Sequence, residues 1–470
     1  MKKIKVLLLY KSFLPEIHWN CLKAQEKNMG AIPPLNLCYV ASMIRDLGHE
    51  VKLIDLQVEK FSFHELVSNI KEYQPDLLGF TITTYLFQGV LKWIKEIKKC
   101  VKIPVLVGGF HMSLYPLETM SHKEIDYAII GNAQITLRDF LDNLGNLDRY
   151  VQIEGLCYRK GDEICINPVK KEGIIGLNEI FLPARDLLKN DLYGNFICKK
   201  KNFTVMLTGV GCPFSCKYCT SLLTKCVMRS AESVVDEIAE CFYKYNIREI
   251  DFYDQSFTID KDRIVDICRR IIERKLDVVW TIRTRADLID EEILRIMKKA
   301  GLYRVMYGIE SGDQKILDNL NKNEKISKLI EVIKLTHKYK ISVFGFFMLG
   351  CPGETKSSIK KTFKFALSLP FDEIQVTRFT LFPGTEFYKE YQIKTGNDDY
   401  WADYVLDKNN VKKLPLLDTS FTTDEIEHYV KMMYLRFYLR PKIVLRKIID
   451  GSLILNFKKY YKATIDMIFN

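Results

Sequence analysis

Two repeats of apolar and polar positions run along the chain. In residues 1–145, the short apolar runs Ile4–Tyr10, Val51–Leu56, Leu77–Ile82, Val105–Gly108 and Tyr127–Ile130 alternate with amphipathic stretches. Those stretches include Leu35–Leu47, Phe63–Tyr73 and Leu86–Lys99. The alternation predicts a doubly wound α/β domain, a parallel sheet with helices on both faces. Ligands on such sheets sit at the carboxyl ends of the strands. The contact loops are therefore expected at Tyr10–Phe13, Asp55–Lys60, Thr81–Tyr85, Gly108–Ser113 and Gly131–Gln134.

The second repeat fills residues 201–390. Six strands are expected, at Phe203–Leu207, Glu249–Tyr253, Val278–Ile282, Arg304–Gly308, Val343–Leu349 and Glu373–Phe379. Helical patterns follow at Ala231–Tyr243, Lys261–Arg274, Glu291–Lys299, Glu324–Tyr339 and Ser357–Ser368. Six such units make a partial (β/α)6 barrel, with chemistry at the carboxyl ends of the strands. Residues 146–200 read as a connector, with Lys160-Gly161-Asp162 as a hairpin turn between Gly155–Tyr158 and Glu163–Asn167. Residues 391–470 read as a helical, basic C-terminal region.

At 470 residues the chain exceeds one ordinary core. Its 47% hydrophobic and 27% charged residues are those of a soluble globular protein. Thirteen cysteines without regular pairing predict a reducing cytoplasm rather than a disulfide framework. The start, MKKIKVLLLY, is too short an apolar run for a signal peptide. No stretch reaches the ~18 apolar residues of a membrane span.

The net charge of +11 is unevenly placed: residues 436–470 hold eight Lys/Arg against two Asp. No nucleic-acid partner is expected from that pattern. The same region carries Phe437, Leu439, Ile443, Val444, Leu453, Leu455, Phe457 and Ile468. It reads either as a helical cap on the barrel with Lys and Arg outward, or as a peripheral contact with anionic lipid.

The densest chemistry lies in Thr208–Cys219, where Cys212, Cys216 and Cys219 are spaced C-x3-C-x2-C. A closely spaced run of thiolates is how one loop holds an iron–sulfur cluster. Three thiolates on a [4Fe–4S] cluster leave one iron open, as a catalytic metal site requires. A zinc site needs a fourth ligand, and the nearest His residues, His122 and His337, are far off in sequence.

C-x3-C-x-aromatic-C just after an apolar strand resembles the signature of the radical SAM superfamily. In that superfamily the open iron chelates the amino and carboxylate groups of S-adenosylmethionine, which is cleaved to a 5′-deoxyadenosyl radical. Further segments resemble the family in order. Phe252-Tyr253-Asp254-Gln255-Ser256-Phe257 is similar to Asp-Asp-x-Phe, with Gln255 in place of the second acid. Gly308-Ile309-Glu310-Ser311-Gly312 is similar to Gly-x-Glu-Ser-Gly. Leu349-Gly350-Cys351-Pro352-Gly353-Glu354-Thr355 and Pro383-Gly384-Thr385 match later motifs.

The resemblance implies that Asp254 meets the amino group and Arg285 the methionine carboxylate. It implies that Glu310 and Ser311 meet ribose hydroxyls or the amino group, and that Tyr218 packs near the adenine. Each has a plainer reading: Pro-Gly pairs as turns, Glu354 as a helix-dipole carboxylate, Arg283 as a surface residue, Tyr218 as core.

Pro33-Pro34-Leu35, Leu47–Val51 running into Ile54-Asp55, and Gly108-Gly109-Phe110-His111 resemble the cobalamin-binding domain that precedes many radical SAM cores. Gly108 and Gly109 let backbone approach a flat ligand. His111 either contacts a corrin edge or caps the next helix. The sequence departs from corrinoid proteins that ligate cobalt through Asp-x-His-x-x-Gly. Here Gln57 replaces the His and Lys60 the Gly. The acidic Gly-Glu after the last strand is altered to Gly131-Asn132-Ala133-Gln134.

The implied enzyme uses a [4Fe–4S] cluster, S-adenosylmethionine and cobalamin, and transfers a methyl group to an unactivated carbon. Radical cyclisation or oxidation, as in the anaerobic cyclase of chlorophyll synthesis, stays open, as does a non-catalytic corrinoid or iron–sulfur sensor. The expected partners are a small-molecule, lipid or peptide substrate and a reductant such as flavodoxin or ferredoxin. No catalytic residue is singled out. Cys351 is the one candidate relay, with buried packing as its plainer reading. The expected location is cytoplasmic, with a membrane-peripheral alternative.

Overall fold

The computed structural model describes residues 3–11, 30–131, 133–169, 182–195, 198–220, 226–408 and 414–449. They form two compact units. The first takes the described residues of Met1–His18, Ala31–Tyr193 and Asp398–Lys413, and the second those of Trp19–Gly30, Gly194–Asn397 and Leu414–Asn470.

The first unit is a seven-stranded sheet. Its strands are β1 (Lys5–Tyr10), β2 (Glu50–Asp55), β3 (Leu77–Thr81), β4 (Val105–Gly108), β5 (Tyr127–Ile129), β6 (Leu156–Lys160) and β7 (Glu163–Ile166). The order is β2-β1-β3-β4-β5-β6-β7, parallel through β5. β1 is an interior strand between β2 and β3, and Val6, Leu7, Leu8 and Leu9 are buried on both faces. That is why it reads as a continuous apolar run. The helix Phe63–Tyr73 begins at a capping box in which Ser62 and Glu65 bond each other's backbone N–H.

The hairpin expected in a connector belongs to this sheet: β6 pairs antiparallel with β5, and β7 with β6. A second departure lies beyond the barrel. The helix Tyr400–Val405, expected in the C-terminal region, returns to the first unit. Gln88 Nε2 donates to the carbonyls of Tyr404 (2.6 Å) and Val405 (3.2 Å), and His122 Nε2 lies 2.7 Å from the Val405 carbonyl. These are polar bonds across some three hundred residues, and apolar periodicity carries no trace of them.

The second unit is a six-stranded parallel sheet in chain order. It comprises β8 (Phe203–Met206), β9 (Glu249–Phe252), β10 (Val279–Thr284), β11 (Leu302–Glu310), β12 (Ser342–Leu349) and β13 (Glu373–Arg378). Helices follow at Ala231–Lys244, Lys261–Glu273, Glu291–Lys299, Ile326–Lys338 and Lys356–Ser368, the partial barrel expected. A short helix, Gln314–Asn319, was not expected. β11 runs two residues further at each end than the sequence indicates, and its pairing with β12 slips between Gly308 and Glu310.

The helix Thr423–Tyr438 lies on β13, burying Ile426, Val430, Met433, Tyr434 and Phe437. Tyr434 OH accepts from the Val376 N–H (2.7 Å) and lies 3.1 Å from the Val376 carbonyl. Tyr438 OH does the same for Ile374, at 3.1 and 2.9 Å. The two hydroxyls close the open edge of the sheet. This part of the C-terminal region is thus a cap on the barrel. Leu453, Leu455, Phe457 and Ile468 lie outside the described residues. Tyr434→Phe is expected to cost about 1 kcal/mol per bond lost, read as a lower denaturation midpoint, and Tyr434→Phe/Tyr438→Phe roughly twice that.

Candidate functional site

In the second unit β8 leads into Gly209-Val210, which pairs antiparallel with Val227-Met228. Gly211, at φ 77°, turns the chain into the cysteine loop. The loop is fastened from outside: Lys217 N donates to the Leu320 carbonyl (3.1 Å), and Asn321 Nδ2 to the Ser215 carbonyl (2.7 Å). Inside it, Cys219 N donates to the Cys216 carbonyl (3.0 Å). Burial, then the neighbouring thiols, push the Cys212 thiol up; burial also raises Cys216, against the pull of Lys322 and Arg285. Among the described residues no three His, Cys, Asp or Glu side chains converge on one point, as a single-ion site requires. A four-iron cluster takes each thiolate on a separate iron, and Cys212, Cys216 and Cys219 are the three thiols that one loop brings together in sequence.

Of the other expected residues, Tyr218 lies in this loop and Glu310 and Arg285 meet it. The Tyr218 hydroxyl donates to Glu310 Oε1 at 3.1 Å. Glu310 ends β11 in the left-handed region, at φ 63°. A non-glycine residue there is strained, which is a mark of functional positions. Arg285 stacks on Phe214, 4.0 Å from the ring centroid, with one guanidinium nitrogen 4.0 Å from Cys216 Sγ. Its other edge forks Asp287, at 2.9 and 2.7 Å.

Asp254 and Ser311 are placed differently. Asp254 is buried, and its carboxylate takes the Thr208 N–H (2.7 Å) and hydroxyl. It fixes the strand that enters the cysteine loop. Ser311 is fully buried and holds its own turn through Thr362 Oγ1 (3.1 Å) and the Asp313 N–H (3.2 Å). Both are engaged with protein atoms.

Two plain readings are corrected, and that of Cys351 as buried packing holds. Arg283 is not a surface residue: it forks Asp251 at 2.6 and 3.0 Å and stacks on Tyr253. The next helix is capped by Thr355, while Glu354 accepts from Gly350 N (2.5 Å) and Cys351 N (3.3 Å) and closes the turn. Cys351 is fully buried, and burial holds its thiol well above the usual range, which fits packing. Two residues escaped the sequence reading. Lys322 and Glu324 sit in Asn321-Lys322-Asn323-Glu324, which looks like an exposed polar turn, yet both are buried beside Glu310.

Burial pushes the Glu354 carboxyl up from the usual 4.5 to about 7. The folded state therefore binds its proton more tightly than the unfolded chain does. That contribution is complete below about pH 4.5 and is lost as pH rises through about 7. Glu354→Gln should remove a decline of about 1–3 kcal/mol across that window, measured by denaturant unfolding at successive pH values.

In the first unit, Gly109 sits at φ 117°, and a Cβ there would lie 2.5 Å from the Ile82 carbonyl oxygen. A Cβ on Gly108 would meet nothing within 4 Å. So the loop is folded tightly on one side and bare on the other, as a cradle for a flat ligand requires. Beside it Tyr10, Lys11, Leu56, Phe80, Thr81, Val90 and Trp93 line a hollow at the carboxyl ends of β1, β2 and β3. The hollow is small, about 10 Å³, room for a single water and far below the size of a cofactor cleft.

His111 takes neither role expected of it. It is fully buried, with Nδ1 2.9 Å from Thr84 Oγ1 and Nε2 2.9 Å from Thr119 Oγ1. Burial lowers its pKa to about 3, so it is a neutral tie between two loops. Gln57 turns inward, donating to the Ile32 carbonyl (3.2 Å) and the Asp55 carboxylate. No side chain of that motif is presented as a cobalt ligand. Asn132, in the altered Gly-Glu position, and Phe13 lie outside the described residues.

Comparison with known proteins agrees with this geometry. The B12 binding domain family matches residues 28–141, and the radical SAM superfamily matches residues 206–366. An uncharacterised methyltransferase of Pyrococcus horikoshii is 33% identical over 462 residues, covering 96% of each chain. The anaerobic magnesium-protoporphyrin IX monomethyl ester cyclase of Cereibacter sphaeroides is 25% identical, covering 91% of this chain and 70% of that one. The fold matches the radical S-adenosylmethionine methyltransferase TsrM of Kitasatospora setae, solved with cobalamin and a [4Fe-4S] cluster bound. The TM-score is 0.66 at 18% identity, covering 84% of this chain and 78% of that one. The cofactors that go with this pair of domains are a [4Fe–4S] cluster, S-adenosylmethionine and cobalamin. The chain is an enzyme of the radical SAM superfamily, in the group that carries a B12 binding domain ahead of the radical SAM core.

Proposed function

We propose that this enzyme transfers a methyl group from S-adenosylmethionine, by way of cobalamin, to an unactivated carbon of a small-molecule substrate. The observation that carries it is a three-cysteine loop that contains Tyr218 and meets Glu310 and Arg285, in a chain that also carries the Gly108-Gly109 cradle. The similarity to the Pyrococcus methyltransferase supports the same reading.

When bound, the cluster supplies the electron for S-adenosylmethionine cleavage, and cobalamin carries the methyl group. The chain's own residues position these partners. Glu310 Oε1 is held by Tyr218 and Lys322, and among the described residues Oε2 accepts no hydrogen bond, so it is open to the cofactor's ammonium. An ionised carboxylate suits that cation. Arg285, its far edge held by Asp287, keeps one nitrogen toward the cluster corner, where a cofactor carboxylate would be met. Asp254 anchors Thr208, and so the start of the cysteine loop.

Radical cyclisation is the second reading, favoured by the likeness to the anaerobic cyclase over 91% of this chain. The two separate on one product. Methyl transfer yields S-adenosylhomocysteine only when cobalamin is present; cyclisation yields none. A reductant of the flavodoxin or ferredoxin type and a cytoplasmic location belong to this proposal. Thirteen cysteines without regular pairing along the chain support a reducing compartment. Among the described residues no helix is long and apolar enough to cross a membrane. A peripheral lipid contact draws support only from Leu439 and Leu445, 61% and 59% exposed among basic residues.

A further inference from the structure

The buried ion pairs beside the cysteine loop form a built device. Lys322 is only 3% exposed, with Nζ 3.1 Å from Glu310 Oε1 and 3.2 Å from Glu324 Oε2. Glu324, 2% exposed, takes the N–H groups of Ala286 (2.8 Å) and Asp287 (3.3 Å), the turn that presents Arg285. Glu310 in turn holds the Tyr218 hydroxyl, next to Cys219. One ammonium thus joins the cysteine loop, the end of β11 and the turn after β10.

The backbone is bent to allow this. Glu310 is in the left-handed region, and the strand slips register there. A Cβ on Gly308 would lie 2.7 Å from Glu310 Oε1 and 3.1 Å from Lys322 Nζ, so a larger residue there would push the pair from this geometry. Lysine is rarely buried in this way, and a buried charge needs a reason. Burial pulls the Lys322 pKa down, but Glu310 and Glu324 outweigh it, and the ammonium stays charged. The two residues before Lys322 bond the residues on either side of Cys216: Lys217 N donates to the Leu320 carbonyl (3.1 Å) and Asn321 Nδ2 to the Ser215 carbonyl (2.7 Å).

We propose that Lys322 is a positioning residue that sets how readily the cluster is reduced, its buried ammonium offsetting the Glu310 and Glu324 carboxylates at the Cys216 corner. The inference rests on the cluster reading above. Cluster potentials respond to net charge and burial around the sulfurs. In reduction the cluster gains one electron from a low-potential one-electron donor. A nearby cation stabilises the added negative charge, and a nearby carboxylate opposes it.

The test is an anaerobic, EPR-monitored redox titration of the reconstituted full-length protein and three variants. Lys322→Met removes the cation and should make the reduction equilibrium at least about tenfold less favourable, about 59 mV for one electron. Glu324→Gln keeps an oxygen for the Ala286 and Asp287 amides but removes a negative charge, so it should shift the potential the opposite way. Lys322→Met/Glu324→Gln restores the local net charge and should return close to wild type. A merely structural lysine would give no opposed shifts and no restoration.

If Lys322→Met fails to fold, Glu324→Gln and the double variant still decide. Wild-type potentials in both, or any shift of the wrong sign, overturn the proposal while leaving the cluster reading intact. A wild-type protein that takes up no cluster overturns both.

Discussion

Cys216→Ala should abolish cluster uptake and S-adenosylmethionine cleavage while leaving the protein folded. Cys216 is 8% exposed, and the charged groups of the site, Arg285 and Lys322, act on its thiol. Yet the loop does not depend on that thiol for its shape. Lys217, Ser215 and Cys219 are held through backbone groups, to Leu320, Asn321 and the Cys216 carbonyl. The alanine variant keeps all of those bonds. Changing an outer partner of a metal ligand costs about 10–100-fold; losing one of three ligands should cost more, and 5′-deoxyadenosine formation should fall at least about 100-fold. Iron content, the visible absorbance of the cluster and a thermal melt separate the outcomes. A variant that keeps its cluster and its activity would remove Cys216 from the ligand set.

The glycine pair of the first unit gives the second large effect, because two adjacent alanines should act in different ways. Gly109→Ala forces a side chain into a left-handed backbone at φ 117° and sets its Cβ 2.5 Å from the Ile82 carbonyl oxygen. Strain of that kind costs about 1–3 kcal/mol, and the clash adds to it, so the variant should melt lower and lose cobalamin together. Gly108→Ala meets no protein atom within 4 Å. It should fold as well as the wild type, and its methyl group should intrude on the bound ligand, weakening cobalamin retention by about tenfold or more, the scale of about 1–3 kcal/mol for an overfilled contact. Melting curves with and without cobalamin, and the corrinoid absorbance retained after gel filtration, check both. Unchanged retention in Gly108→Ala would place the ligand elsewhere.

Much of the fold was legible because its elements are buried in simple ways. β1 and β4 are apolar runs between helical covers, and the helices Phe63–Tyr73 and Glu291–Lys299 fall where the 3.6-residue pattern puts them. The cluster loop was legible because metal ligation constrains spacing within a few residues. What stayed hidden depends on polar contacts made at long range. The return of Tyr400–Val405 to the first unit rests on bonds from Gln88 and His122, which look like ordinary surface residues in the sequence. Lys322 and Glu324 read as solvated because nothing local shows that Glu310 will meet the lysine. His111 was ambiguous for the same reason: its partners, Thr84 and Thr119, are set by the fold.

Methyl transfer by this chain should need both its cysteine loop and its B12 binding domain. The most direct test is anaerobic reconstitution with iron, sulfide and cobalamin, then addition of dithionite and S-adenosylmethionine, with the nucleoside products read by mass spectrometry. The expected products are 5′-deoxyadenosine together with S-adenosylhomocysteine. The second should require cobalamin, and both should be lost in Cys216→Ala. 5′-Deoxyadenosine without S-adenosylhomocysteine, with cobalamin bound, would contradict methyl transfer and leave the cyclase-type reading in its place.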